Sequence, residues 1–265
     1  MNIEKMREVG RVHVILPAYN EEESLPNLLR RFEQLHREHP ELNLVVRVIN
    51  DGSKDRTSEV AAQGFGALDV RVHNHPRNMG LGQAMLTGLQ RAAAAAEDRD
   101  LVVAMDADDT HDVNLIPLMV EEIRSGADIA IASRFVPGGC DDTAPPFRRL
   151  LSRGASVVFR AVFPLERIKD FTSGYRMYRG ELLHRATAHW GERLIEEDGF
   201  ACMVELLLKL RHWKPEMREV PMFLRYDRKL GASKLKLFRT LRQYLKLAIR
   251  NRVTPAPREV RYAVS

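Results

Sequence analysis

Four apolar residues, Val102-Val103-Ala104-Met105, run without interruption into Asp106-Ala107-Asp108. An apolar stretch with no polar alternation fits a strand of a parallel sheet, buried on both faces. Open α/β sheets bind ligands beyond the carboxyl ends of such strands. In extended chain, residues i and i+2 share a face, so Asp106 and Asp108 can converge on one cation. Their hard oxygens suit Mg²⁺ or Mn²⁺, ions that also engage substrate phosphates. Taken alone, Asp-x-Asp is most often a pair of solvated loop residues, so its neighbours decide its meaning.

Those neighbours repeat the pattern. Strand-like runs at 12–16, 44–49, 69–73, 101–105 and 128–132 alternate with helical spacing at 21–36, a short helix to about residue 63, an alanine-rich helix through about 97, and 113–124. Alternation of this kind predicts βαβ units and a mostly parallel central sheet flanked by helices, an α/β fold. Residues 137–146 (PGGCDDTAPP) break the alternation and read as a mobile loop. Helical segments follow at about 147–163, 180–188 and 198–212, then a strand-like stretch at 220–224. One catalytic domain over 1–234 and a basic helical extension over 235–265 are expected.

Charge separates these parts. Residues 206–265 carry 16 Lys/Arg against 4 Asp/Glu, net +12, whereas residues 1–205 are net −7. A basic end on an acidic body points to a polyanionic surface as partner. Over 234–253, Leu235, Phe238, Leu241, Leu245 and Ala248 keep helical spacing while Lys236, Arg239, Arg242, Lys246, Arg250 and Arg252 occupy other faces. Such a helix can lie in the headgroup layer of an anionic membrane, or pack its stripe on the domain like any surface helix. No apolar run approaches the roughly 20 residues that span a bilayer. Met1 to Gly10 reads as no secretory signal, and two cysteines without metal or C-x-x-C spacing favour a reducing, cytoplasmic setting.

Three strand ends carry polar turns: Pro17-Ala18-Tyr19-Asn20-Glu21, Asn50-Asp51-Gly52-Ser53 and Asp106-Ala107-Asp108. A parallel sheet sets them along one edge, where Tyr19 could pack on a nucleobase, Asp51 accept from a base N–H, and the carboxylates hold a metal on a diphosphate. Singly, each turn reads first as helix capping or turn chemistry, to which Asn20 and Ser53 are suited; three in order do not.

With Gly80-Leu81-Gly82-Gln83-Ala84, Ser133-Arg134, Asp170-Phe171-Thr172-Ser173-Gly174-Tyr175-Arg176, Gly199-Phe200, Glu205 and Arg228-Lys229-Leu230-Gly231-Ala232-Ser233-Lys234, the set resembles the inverting family-2 glycosyltransferases of GT-A fold. The similarity is to the dolichol- or polyprenyl-phosphate mannose synthase type, and it covers roughly residues 12–235. It implies that Pro17, Tyr19, Glu21, Asp51 and Ala107 line the nucleotide pocket of a GDP- or UDP-hexose. Asp106 and Asp108 would bind Mg²⁺ or Mn²⁺. Arg134, Arg228 and Lys234 would neutralise the departing diphosphate. Arg148 and Ser152 would hold a polyprenyl phosphate, with Asp170 and Arg176 ordering the acceptor side. Asp106, Asp108, Arg134 and Asp170 are thus the expected catalytic set. Where such relatives commonly place a metal-ligating Gln, this chain has Thr110, followed by His111.

The implied reaction is in-line displacement at the anomeric carbon, with electrostatic stabilisation of the leaving diphosphate. A phosphate oxyanion needs no general base; a hydroxyl acceptor would, and Asp170, Asp198 or Glu205 could serve. The close rival is therefore a family-2 enzyme acting on a soluble hydroxyl acceptor in a specialised pathway. Other classes fit poorly. A nicotinamide fingerprint would need a third glycine at Met85, and His73, His75 and His111 lack zinc spacing. A nucleic-acid module would leave the carboxylates unexplained, so no nucleic-acid partner is expected.

Overall fold

The computed structural model describes residues 9–163, 168–230 and 237–253. Seven strands form one sheet: β1 (Val12–Ala18), β2 (Leu44–Asn50), β3 (Asp69–Asn74), β4 (Leu101–Ala104), β5 (Ile129–Ser133), β6 (Arg176–Arg179) and β7 (Met217–Pro221), in the order β3-β2-β1-β4-β6-β5-β7. Every pairing is parallel except those of β6, which runs against both β4 and β5. The mostly parallel α/β architecture expected from the sequence is present.

Strand β1 shows how the layers arise. Val12, Val14 and Leu16 enter one apolar core with helices α1 (Leu25–Glu38), α2 (Thr57–Ala61) and α4 (Leu115–Arg124), while Ile15 enters the other. That second core holds α3 (Leu81–Ala95), α5 (Pro146–Val162), α6 (Gly180–Trp190), α7 (Ala201–Leu210) and the inner side of α8 (Leu237–Val253). Alternate residues of a strand face opposite ways, so an all-apolar strand feeds both layers.

Sheet direction sets where the polar turns fall. Strands β1, β2, β4, β5 and β7 run the same way, so residues 17–21, 50–53, 106–108, 133–134 and 222–229 all leave from one edge. Because β6 is reversed, with Arg176 opposite Ala104, residues 170–175 enter at that same edge.

Strand β6 was not anticipated: only four residues long, it carries an arginine at each end. Both arginines are buried on backbone carbonyls, Arg176 on those of Phe171 and Met203, Arg179 on those of Ala127 and Ile123. The strand-like stretch expected at 220–224 lies earlier, at Met217–Pro221. The apolar stripe of the C-terminal helix also differs. Tyr244, Leu247 and Ala248 are buried, whereas Leu241, Leu245 and Ile249 face outward. The expected division at 234/235 lies outside the described residues, as do Leu235, Lys236 and Lys234. Among the described residues, no helix is long and apolar enough to cross a membrane.

Close approach fixes the start of α3. A Cβ on Gly82 would lie 2.2 Å from the Glu197 carbonyl oxygen, a backbone atom with little freedom to retreat. Gly82→Ala is expected to cost about 2 kcal/mol of unfolding free energy, the scale of core overpacking, measured by urea denaturation.

Candidate active site

The strand ends surround one cleft of about 710 Å³. That volume lies within the range of small-molecule sites. Pro17, Tyr19, Glu21 and Asp51 line it, together with Ala107, the two carboxylates, Arg134, Arg148 and Ser152. Four expected site residues stand apart from this group. Asp170 is fully buried on Arg134 and is not among the lining residues. Arg176 is wholly buried on backbone carbonyls and does not reach the acceptor side. Arg228 is not among the lining residues, and the charges of Arg31, Arg225, Asp109 and Asp112 act on it. Lys234 lies outside the described residues.

At one end of the cleft the first two turns hold each other. Asn20, at φ 51°, donates its N–H to Ser53 Oγ (2.9 Å) and accepts from Lys54 N–H (2.9 Å), while Glu21 N–H donates to Thr57 Oγ1 (2.8 Å). The turn-chemistry reading of Asn20 and Ser53 is thus the one the structure displays. Gly52, at φ +64°, brings the chain so near Arg77 that a Cβ would fall 2.2 Å from its carbonyl carbon. Asp51, nearly fully buried, accepts the N–H groups of Met79 and Gly80, each at 2.8 Å.

Asp106 and Asp108 occupy the cleft centre. Burial pushes the Asp106 carboxyl above the usual carboxylate range. For Asp108 burial acts the same way but is outweighed: Lys229 sits on the carboxylate, Thr110 Oγ1 donates to it at 2.7 Å, and the carboxyl is held low. Lys229, one residue beyond the arginine singled out from the sequence, is therefore the cation that meets the Asp-x-Asp pair. The His111 ring stacks on Tyr175 (centroids 5.1 Å) and accepts the Asp106 N–H at Nδ1 (3.3 Å), so its proton sits on Nε2.

Two carboxylates and one hydroxyl make a hard oxygen set. Among the described residues no third His, Cys, Asp or Glu completes a cluster, which leaves the other positions to phosphate oxygens and water. That donor set fits Mg²⁺ or Mn²⁺ held jointly with a diphosphate.

The opposite wall is a connected polar network. Arg134 grips the buried Asp170 through two bonds, Nε to Oδ2 (2.8 Å) and Nη2 to Oδ1 (2.7 Å), and also donates to Thr172 Oγ1 (2.7 Å). Thr172 Oγ1 in turn lies 2.9 Å from Ser152 Oγ on α5. One turn earlier on α5, Arg148 donates to the Tyr226 hydroxyl (2.9 Å) and lies over its ring. Burial alone would favour neutral Asp170, but the Arg134 guanidinium holds its carboxyl below the usual carboxylate range.

The possible bases sort by access. Asp170 is engaged as described, and Glu205 accepts the N–H groups of Glu196 (2.9 Å) and Glu197 (2.8 Å) and a guanidinium bond from Arg250 (2.7 Å). Of the three, Asp198 alone lines the cleft, paired with Arg239 of α8 at 2.8 Å. Arg239, Thr240, Gln243 and Tyr244 make α8 a cleft wall. Tyr226, Thr240, Gln243 and Tyr244 have no distinctive sequence signal, whereas Lys229 stands within the Arg228–Lys234 motif and Arg239 on the basic side of the C-terminal helix.

A mostly parallel sheet with such a cleft at its carboxyl edge is the GT-A arrangement of nucleotide-sugar transferases. The structure superposes on glucosyl-3-phosphoglycerate synthase from Mycobacterium tuberculosis, solved with Mn²⁺, uridine diphosphate and glucosyl-3-phosphoglycerate, with a TM-score of 0.66 at 21% identity. That match covers 92% of this chain and 81% of that one. In sequence, the chain is 36% identical to a dolichol-phosphate mannosyltransferase of Pyrococcus furiosus over 237 residues, 89% of this chain but only 62% of that relative's length. It is 32% identical to the polyprenol monophosphomannose synthase of Mycolicibacterium smegmatis, across 87% of this chain and 83% of that one. Residues 13–187 match the Glycosyl transferase family 2 model, and the chain belongs to glycosyltransferase family 2.

Asp170→Asn leaves Arg134 without its counter-charge and is expected to destabilise the protein at pH 7 by about 3 kcal/mol, measured by denaturant unfolding. Since the folded carboxyl titrates below its unfolded value, the native pair's contribution is complete at neutral pH. The gap between native and variant should therefore close only as pH falls below about 4.

Proposed function

We propose that this protein transfers a hexose, with inversion, from a GDP- or UDP-sugar to a polyprenyl phosphate, while lying peripherally on the cytoplasmic face of an anionic membrane. The observation that carries the acceptor class is the two-sided character of α5. Arg148 and Ser152, one helical turn apart, face the cleft, while Phe147, Leu150, Val157 and Val158 on the same helix are half or more exposed. Beside them α8 turns Leu241, Leu245 and Ile249 outward, with the exposed Arg242 and Lys246 between. A phosphate held on the inner side of an outwardly apolar helix suits an acceptor whose headgroup is anionic and whose tail stays in lipid.

In this reading Tyr19, Glu21 and Asp51 hold the nucleoside. Asp106 and Asp108 would hold Mg²⁺ or Mn²⁺, which supplies charge to the departing diphosphate when bound. Lys229, which meets Asp108 in this structure, would add its charge to the same diphosphate. Arg148, helped by Ser152 and Thr172, points the acceptor phosphate oxygen at the anomeric carbon. No proton need be removed from that nucleophile. Relatives named for dolichol- and polyprenol-phosphate mannosyl transfer, and a GT-A neighbour holding Mn²⁺ and uridine diphosphate, support this assignment.

A second reading, a hydroxyl acceptor, is favoured by one feature: Asp198 lines the cleft as an accessible carboxylate. Two variants separate the readings. Asp108→Asn is expected to cut transfer to polyprenyl phosphate by roughly 10²-fold or more while the chain remains folded at the assay temperature by circular dichroism. Asp198→Asn should leave that rate within about threefold, since loss of a required general base costs roughly 10²–10⁴-fold. Binding to phosphatidylglycerol vesicles should weaken as salt rises and fall further in Leu150→Asp, measured by co-sedimentation. Salt-independent absence of binding would favour the soluble acceptor.

A further inference from the structure

Behind Asp51, outside the cleft lining, lies a histidine that neither the metal set nor the acceptor wall employs. His75 follows β3 and is buried. Its backbone N–H donates to the Asn50 carbonyl (2.8 Å), which fixes its place beside the end of β2. Its ring spans two elements: Nδ1 lies 2.8 Å from Asp51 Oδ1, and Nε2 lies 3.1 Å from Thr87 Oγ1 on α3. A carboxylate only accepts, so the proton on this side of the ring is on Nδ1. At the other end Nε2 and the Thr87 hydroxyl share a hydrogen bond, whichever of them donates, and the ring is held at both ends.

Asp51 is correspondingly constrained. Oδ1 accepts from His75 and from Met79 N–H, while Oδ2 accepts from Gly80 N–H. Two carboxylate oxygens offer about four acceptor positions, so a single one, on Oδ2, is left for a ligand. The torsion that orients an Asp carboxylate is broad and soft, and backbone donors on the 78–80 turn can follow it as it rotates. The His75 ring cannot, because Thr87 anchors it to α3.

We propose that His75 is a positioning residue of the nucleotide pocket: held by Thr87, it locks the Asp51 carboxylate so that one Oδ2 acceptor faces one N–H of the donor's base. The inference rests on the assignment of Asp51 to the nucleoside, and its test is arranged to separate the two. Asn at 75 keeps an N–H where Nδ1 stands, whereas Gln moves its amide to the Nε2 end and loses the Asp51 bond.

Calorimetric titration of UDP and of GDP, each with Mn²⁺, is the direct measurement on the full chain. His75→Gln should weaken the better-bound nucleotide about tenfold and raise the sugar-nucleotide KM with kcat nearly unchanged. His75→Asn should stay within about threefold of native, a rescue that a merely space-filling role would not give. If His75→Gln does not fold, Thr87→Val releases the far end of the ring and should weaken binding about two- to threefold. Equal affinity of the Gln and Asn variants, whether both native-like or both impaired, overturns the proposal, as does native binding by Thr87→Val. Should Asp51→Asn lose nucleotide while His75→Gln binds as native, the positioning role falls and the pocket assignment stands. Native affinity in Asp51→Asn, or no binding of either nucleotide by the native chain, ends both.

Discussion

The buried carboxylate of Asp170 is the contact on which the site's shape depends. It takes two guanidinium bonds from Arg134 at the end of β5 and the backbone N–H groups of Thr172 and Ser173 in its own turn. Its own N–H and that of Lys169 donate to Glu219 of β7 (2.8 and 2.9 Å). One residue thus joins two strands and the turn entering β6, and through Thr172 it reaches Ser152 on α5. An ion pair of this kind contributes little net stability relative to an apolar replacement, yet it is costly to break. Its evident effect is geometric, since it fixes where the wall carrying Thr172 and Ser152 stands relative to the Asp-x-Asp pair.

The reversed strand β6 makes that contact possible. Had it run parallel to its neighbours, residues 170–175 would have left the sheet at the opposite edge, far from Asp106. Insertion of an antiparallel strand between β4 and β5 brings an entering turn among departing ones, and places Tyr175 against His111.

Much of this was legible in the sequence, and the exceptions have physical causes. Strands β1, β2, β4 and β5 are buried on both faces, so their predominantly apolar runs, broken only by His13 in β1, by Arg47 and the terminal Asn50 in β2, and by the terminal Ser133 in β5, announce them. Strand β6 reads as polar because its arginines satisfy backbone carbonyls in the core, a use of charge that no periodicity reveals. The same holds for Arg176, which the family resemblance assigns to the acceptor side and which is a structural cross-link in the fold. Arg228 and Lys229 are adjacent, and only the path of the chain after Tyr226 decides which one meets Asp108. The stripe expected on α8 mixes two sides of that helix, Leu241 and Leu245 outward and Ala248 inward, because spacing alone cannot tell which side packs. The net charge of the C-terminal quarter was visible, but not its partial neutralisation: Arg239 pairs with Asp198, Lys246 with Glu197, and Arg250 with Glu197 and Glu205.

Helix α8 has no idle side. Thr240, Gln243 and Tyr244 border the cleft, Leu247 and Ala248 fill the core, Leu241, Leu245 and Ile249 point away, and three cations hold acidic partners. Insertion of a single amino acid near its start would rotate everything downstream by about 100° and exchange all these surfaces at once. Evolution can therefore vary the identity of individual positions along this rod, but its phase is frozen.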